Sequence, residues 1–279
     1  MKIIDGKLKV EIEESIVRGI ERDDFLALGQ TIRWYLNCLY KNIPTSKRIS
    51  YGIVYTVKIL SEYIFGIIET HSLSPLDFGM KLYDLAVSDV GSLREVDNFK
   101  IRAVALGVLS LHGLGDYRPV LEYFKRSADS SYWNEREISS ILFRKIVSKY
   151  PYDIKKYLLG LVVSDSPNLR RFVAETLRPV VENRWFFDEI DYPISIISHL
   201  FTEHHPYPRA SVGNNLSDIS KKLPELVFDL VAKLVALNNE DSYWIAYRAC
   251  RNLVKKYPEE VMKLLGIGEY RYKSKVYRL

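Results

Sequence analysis

The sequence predicts an all-α fold, a right-handed α-α superhelix in which helix pairs stack as a solenoid. Three observations predict it. Apolar residues recur at helical spacing over most of the chain, proline-marked helix starts punctuate it, and one motif returns at the length of a helix pair.

The helical period is clearest in Ile101, Val104, Ala105, Val108 and Leu111. Leu226, Leu230, Leu234 and Leu237 repeat it, with Lys233 as a polar break. Residues so spaced share one helix face, which must be buried against a neighbour. Ser74-Pro75 and Ser166-Pro167 each place a capping hydroxyl before a proline at the first helical position. Proline has no N–H there to leave unsatisfied. Alternating runs are few, and residues 8–12 are the best candidate for a short strand. Short connections favour antiparallel neighbours.

The repeat begins with SYWNEREISSILFRKIVSKYP, residues 131–151, and returns as SYWIAYRACRNLVKKYP, residues 242–258. Both open Ser-Tyr-Trp and close Lys-Tyr-Pro after an amphipathic helix; a third ending is Lys222-Leu223-Pro224. From Pro119 through Pro151 and Pro224 to Pro258 the gaps are 32, 73 and 34 residues. The middle gap is close to two periods of about 36, and this spacing fits helix-pair repeats. One pair cannot bury its apolar face alone, so the pairs stack. Five units are expected between about residues 97 and 267, the copy near Trp185 being the most degenerate. The expected organisation is a divergent helical N-terminal part (1–97), a repeat domain (98–267) and a basic tail (268–279), the last a flexible arm or a frayed end.

Composition narrows the classes. With 279 residues, 47% apolar and 27% charged, the chain can build a core without disulfides or metals. Its two cysteines, Cys38 and Cys250, exclude a disulfide framework and, within one chain, four-thiolate zinc or iron–sulfur sites. The most apolar stretch, residues 53–68, contains Lys58 and Glu62, against a membrane span. The first residues carry no apolar signal core, so a soluble cytosolic protein is expected. A net charge of +5 permits an anionic partner without demanding one. His199, His204 and His205 have no ligand set at a familiar metal spacing, and no phosphate-cradling loop or nucleophile elbow is present. Residues 25–61 hold no acid, while Arg33, Lys41, Lys47, Arg48 and Lys58 interleave with Trp34, Tyr35, Tyr40, Tyr51 and Tyr55. That pattern suits an amphipathic helix with snorkelling cations, or a nucleic-acid surface.

Three segments carry a family resemblance. They are SDSPNLRRFVAETLRP (164–179), PRASVGNNLSDISKKLPELVFDLVAKLV (208–235) and YWIAYRACRNLVKKYPEEVMKLLGI (243–267). In this order and spacing they resemble the HEAT-like alkylpurine DNA glycosylases, the AlkC/AlkD-like superfamily, and most nearly its AlkC branch. The resemblance covers about residues 130–267. Two departures stand out. Gly213 sits where the family usually carries alanine, and the chain runs through VVENR before Trp185 where the family reaches Pro-Trp quickly. The resemblance implies a HEAT-like solenoid that acts as a monomer on double-stranded DNA and excises cationic alkylated purines of the 3-methyladenine type. Such a base already carries positive charge and leaves without a general acid. A preorganised carboxylate can stabilise the sugar oxocarbenium ion and orient water. No metal or organic cofactor is needed.

By position in these motifs, Glu175 and Asp218 are the first candidates for that work and Glu137 the third. They are separated by 38 and 43 residues, about one repeat each. Glu135 is the rival to Glu137. Glu175 is also spaced to pair with Arg171 and Arg178, and Asp218 with Lys222, as ordinary helical ion pairs. Arg178, Arg184 and Arg209 are candidates to hold phosphates, with Asn214 and Lys221 beside them on the DNA-facing surface. Trp185, off the repeat period, is expected to contact the lesion nucleotide. Trp133 is a further candidate contact, although it and Trp244 occupy equivalent repeat positions, where tryptophan usually packs.

Overall fold

The computed structural model describes residues 4–85 and 95–278. Among them the fold is all-α apart from one C-terminal hairpin. The chain forms two compact units, Met1–Lys149 and Tyr150–Leu279.

The first unit holds α1 (Gly6–Glu21), α2 (Phe25–Asn42), α3 (Arg48–Thr70), α4 (Pro75–Leu85), α5 (Glu95–His112), α6 (Leu121–Ala128) and α7 (Trp133–Lys149). Residues 8–12 are helical within α1, not a strand. The Asp5 carboxylate accepts the Leu8 amide at 2.8 Å and opens the helix, and Ile12 and Ile16, four apart, are its buried residues. The i,i+4 pattern thus outweighs the short alternation. In the acid-free stretch, α2 buries Leu28, Ile32, Tyr35, Leu36 and Leu39 and leaves Trp34 54% exposed, an amphipathic arrangement. The side chain of Tyr51 lies outside the described residues.

Helix α5 is the centre of this unit. Ala103 through Leu106, Val108 and Leu109 are all fully buried, because α3, α4 and α7 pack around it. A helix apolar all round must be enclosed in this way. Residue 97 therefore lies inside α5, the helix that joins the N-terminal helices to the first repeat in one core. The two units divide later, in the turn after α7.

The second unit holds α8 (Pro151–Val162), α9 (Pro167–Thr176), α10 (Asp191–Ile197), α11 (Pro206–Ile219), α12 (Pro224–Ala236), α13 (Glu240–Ala249) and α14 (Pro258–Leu265). In chain order, helix–turn–helix units recur five times between residues 95 and 265. The Lys-Tyr-Pro and Lys-Leu-Pro motifs lie at the turns between successive helices. The residues before Pro151, Pro224 and Pro258 share one backbone conformation, with φ of −128°, −124° and −132°. The residue before a proline is pushed out of the helical region, so the first helix ends and the second begins with proline. The degenerate copy replaces its elbow by a short 3-10 segment, Val181–Phe187, before α10.

The tail is a hairpin rather than a frayed end. Strands β1 (Glu269–Tyr272) and β2 (Lys275–Arg278) pair antiparallel, Tyr272 facing Lys275. Fully buried Tyr270 stacks on Tyr247 of α13 at 4.2 Å and donates its hydroxyl to the Tyr247 carbonyl at 2.6 Å. Beneath it, Cys250 is fully buried, and burial pushes its thiol pKa up to about 12. At pH 8 that thiol is protonated and shielded, whereas Cys38 is half-buried. A thiol reagent should therefore modify only Cys38 in the folded chain, and both cysteines after denaturation; rapid labelling of Cys250 would mean that the hairpin does not cover it.

Candidate functional site

Within the second unit α9, α11 and α13 lie side by side. Asparagines tie each to the next. Asn215 of α11 donates to the Ala174 and Leu177 carbonyls at 2.9 and 3.1 Å, and Asn252, just after α13, donates to the Ser217 carbonyl at 2.8 Å. The two asparagines are 37 residues apart, one repeat, so the same amide caps the end of each preceding helix. This ladder fixes the register of the side chains around it.

On α9, Ser166 caps the first turn and Arg170 locks it. The Arg170 guanidinium makes a bidentate pair with Glu203 at 2.6 and 2.9 Å and donates to the Ser164 and Asp165 carbonyls. One turn further, Glu175 is only 4% exposed. Its carboxylate accepts the Ser211 hydroxyl from α11 at 2.7 Å and lies 3.5 Å from Arg178 and 3.6 Å from Arg171. The Arg171 guanidinium also covers the Tyr207 ring at 4.3 Å. A carboxylate out of water needs such partners.

Arg178 joins the two leading candidates. While it touches Glu175, its Nε and a terminal nitrogen both meet Asp218 of α11, at 3.1 and 2.9 Å. Burial opposes the charge of Arg178, but Glu175 and Asp218 outweigh it and its pKa stands above the usual guanidinium value. Asp218 is 21% exposed and also takes Lys221 at 2.5 Å; no ion pair joins it to Lys222 among the described residues. The expected spacing of Asp218 with Lys222 is therefore replaced by pairs with Lys221 and, across helices, with Arg178. The result is a bridge, Glu175–Arg178–Asp218, on neighbouring helices.

The other candidates fall elsewhere. Glu137 stands half-buried on α7 in the first unit. Glu135, its rival, is 1% exposed and saturated. It pairs with Arg102 at 2.7 Å and accepts hydroxyls from Tyr83, Ser127 and Ser130. Trp133 is 58% exposed, so the packing expectation fails for it. Its repeat partner, Trp244, is half-buried between Arg209 at 4.6 Å and Arg248 at 5.1 Å. Arg209 also pairs with Asp241, and Arg184 is exposed. Trp185 packs its half-buried ring on Phe186 and Tyr192 at 4.5 and 5.2 Å. Its indole N–H is buried without a hydrogen-bond partner among the described residues.

Asn214 acts through its carbonyl oxygen, which accepts Arg248 at 3.0 Å and Arg251 at 2.9 Å, rather than as a donor. His205 caps α11, its Nδ1 accepting the Tyr207 amide at 3.2 Å. No group of three or more His, Cys, Asp or Glu side chains is placed to hold a metal among the described residues. No described helix is long and apolar enough to cross a membrane. Sequence reasoning missed Ser211. The signal was present, because it follows Glu175 by 36 residues, one repeat.

No protein-family profile matches the chain, and no curated protein matches it in sequence. Solved structures do. An alkylpurine DNA glycosylase, AlkC from Pseudomonas fluorescens, bound to DNA containing an abasic-site analogue, is 19% identical. It matches with a TM-score of 0.59 over 96% of this chain and 68% of its own. AlkD2 from Streptococcus mutans is 21% identical and matches with a TM-score of 0.54 over 79% of this chain and 98% of its own. The helical-repeat architecture read from the proline elbows and the asparagine ladder is thus theirs, and the chain has the fold of AlkC and AlkD2.

Proposed function

We propose that the protein is a DNA repair glycosylase that hydrolyses the N-glycosidic bond of cationic alkylated purines in duplex DNA, acting as a cytoplasmic monomer. The Glu175–Arg178–Asp218 bridge carries this reading. A buried and a partly exposed carboxylate are fixed on adjacent helices, in a chain that shares the fold of an alkylpurine DNA glycosylase over 96% of its length. The bond between the sugar C1′ and the base nitrogen breaks, and its electron pair neutralises the departing base. The positive charge left on the sugar is stabilised by fixed carboxylate charge. Water adds to C1′, and Asp218, the more exposed acid, accepts its proton. Arg178 is a positioning residue that touches both acids and holds them in register. Glu137 is the third candidate. Trp185, with its unpartnered N–H, and Trp133, with its exposed face, are proposed to contact the nucleotide. Arg184, Arg209, Asn214 and Lys221 are proposed to contribute to the DNA-facing surface.

One observation favours a second reading. Both carboxylates are already paired with Arg178, which weakens the field they offer to a cation. A repeat protein that binds DNA without cutting the glycosidic bond would look the same. Base release from methylated duplex DNA separates the two. The glycosylase reading expects release of 3-methyladenine or 7-methylguanine well above the spontaneous rate and a collapse in Asp218→Asn. Salt-sensitive duplex binding without release would sink that reading and leave the binding module.

A further inference from the structure

Arg248 and Arg251 point at one acceptor, the Asn214 carbonyl oxygen, at 3.0 and 2.9 Å. Beyond them the hairpin places Tyr272, whose ring is approached by Arg251 at 5.3 Å, Lys255 at 5.7 Å and Lys273 at 5.6 Å. Among the described residues no ion pair joins any of these four cations to a carboxylate. Elsewhere in this unit the half-buried arginines have acids: Arg170 has Glu203, Arg178 has Asp218 and Arg209 has Asp241. Burial and the neighbouring charge of Arg251 hold the Arg248 guanidinium below its usual pKa. Four like charges gathered without a counter-ion oppose folding, so the arrangement points to a ligand that supplies the negative charge.

The backbone is shaped for it. A Cβ at residue 213 would come within 2.8 Å of Arg248 Cβ and Cδ, so glycine lets the Arg248 stem lie flat on α11 and reach Asn214. The hairpin is held to α13 by the Tyr270–Tyr247 stack and by bonds between Tyr247 and the backbone of Arg271. Tyr272 and Lys273 are therefore carried by ordered structure. A cavity of about 170 Å³ continues the basic surface between Lys221, Lys255 and Lys256. Lys255 follows the ladder residue Asn252 by three, as Asp218 follows Asn215. The cationic cluster thus stands one helix along from Asp218, a step of about 8–10 Å.

We propose that Arg248, Arg251, Lys255 and Lys273, framed by Asn214 and Tyr272, form a phosphodiester cradle that grips the backbone of duplex DNA on the C-terminal side of the Glu175–Asp218 bridge. The inference rests on the DNA reading above and deepens it by assigning the hairpin a binding role. Arginine forks suit phosphate oxygens, and each phosphate neutralised releases counter-ions and steepens the salt dependence of binding.

The test is the salt dependence of binding to a labelled duplex carrying an abasic-site analogue. The natural chain is compared with Arg251→Gln/Lys255→Gln, Arg251→Lys and the control Lys233→Gln, each checked for folding by circular dichroism. The cradle predicts that the double variant binds roughly tenfold more weakly at 0.1 M salt, with a slope of log K on log salt shallower by about two. Arg251→Lys should keep the slope and Lys233→Gln should match the natural chain. If the double variant keeps the natural slope while the natural chain binds DNA, the cradle is overturned and the DNA reading survives. If the natural chain does not bind the duplex, calorimetry with tripolyphosphate decides the site alone. Binding lost in the double variant preserves an anion site without DNA, and no binding by the natural chain overturns both.

Discussion

Glu175→Gln should slow base release from methylated duplex DNA by roughly 100- to 1000-fold, the scale found when one preorganised group facing transition-state charge is removed. The substitution keeps size and an acceptor for the Ser211 hydroxyl, which lies 2.7 Å from the natural carboxylate. It removes the negative charge and turns an amide toward Arg171 and Arg178, which sit 3.6 and 3.5 Å away. Arg178 is then balanced by Asp218 alone, so the remaining field at the sugar is weaker than loss of one carboxylate would suggest. Because positive charge on the sugar develops in the transition state, the loss should appear in the single-turnover rate rather than in duplex affinity. Arg178→Lys should give a smaller loss, since an ammonium keeps the charge but cannot meet two acids with a planar fork. If Glu175→Gln releases base as fast as the natural chain, Glu175 is a structural acid and the catalytic reading contracts to Asp218.

The fold was legible because its signals are repeated. Proline elbows at 151, 224 and 258, amphipathic spacing and the Ser-Tyr-Trp openings each report on local backbone, and each returns one period later. The hairpin was less legible. EYRYKSKVYRL contains alternating aromatic positions, but its net basic charge also suits a flexible tail; burial of Tyr270 against Tyr247 decides it. Residues 8–12 misled for the opposite reason, since five alternating residues cannot outweigh a capped helix of 16. At the candidate site, period and motif brought out Glu175 and Asp218. The bridging of both by one arginine was not legible, because Arg178 follows α9 and its reach across to α11 depends on how that chain end turns. The same limit applies to Glu135 and Glu137. Two residues apart near the start of α7, they differ by about 200° around the helix, and only the neighbours of α7 decide which is buried.

That difference leads to the largest expected effect on stability. Glu135→Ala should cost about 3–5 kcal/mol, because it leaves Arg102 buried without its counter-charge. Arg102 is 5% exposed, and its guanidinium meets the Glu135 carboxylate at 2.7 and 2.9 Å. The same carboxylate accepts Tyr83 at 3.1 Å, Ser127 at 2.7 Å and Ser130 at 2.9 Å, joining α4, α6 and the turn before α7. In a unit of this size the loss corresponds to a fall of roughly 10 °C or more in melting temperature. Glu137→Ala, at a half-buried position, should cost about 1 kcal/mol or less. A buried ion pair can often be exchanged for apolar residues at little cost, so Arg102→Leu/Glu135→Leu would ordinarily recover most of the stability. Here it should recover only part, because three hydroxyls would lose their acceptor. Thermal unfolding of the three variants beside the natural chain decides the point. Full recovery in the double variant would mean that the hydroxyl bonds add little, and that Glu135 serves only to neutralise Arg102. A loss in Glu137→Ala as large as in Glu135→Ala would reverse the assignment and make Glu137 the structural acid of this pair.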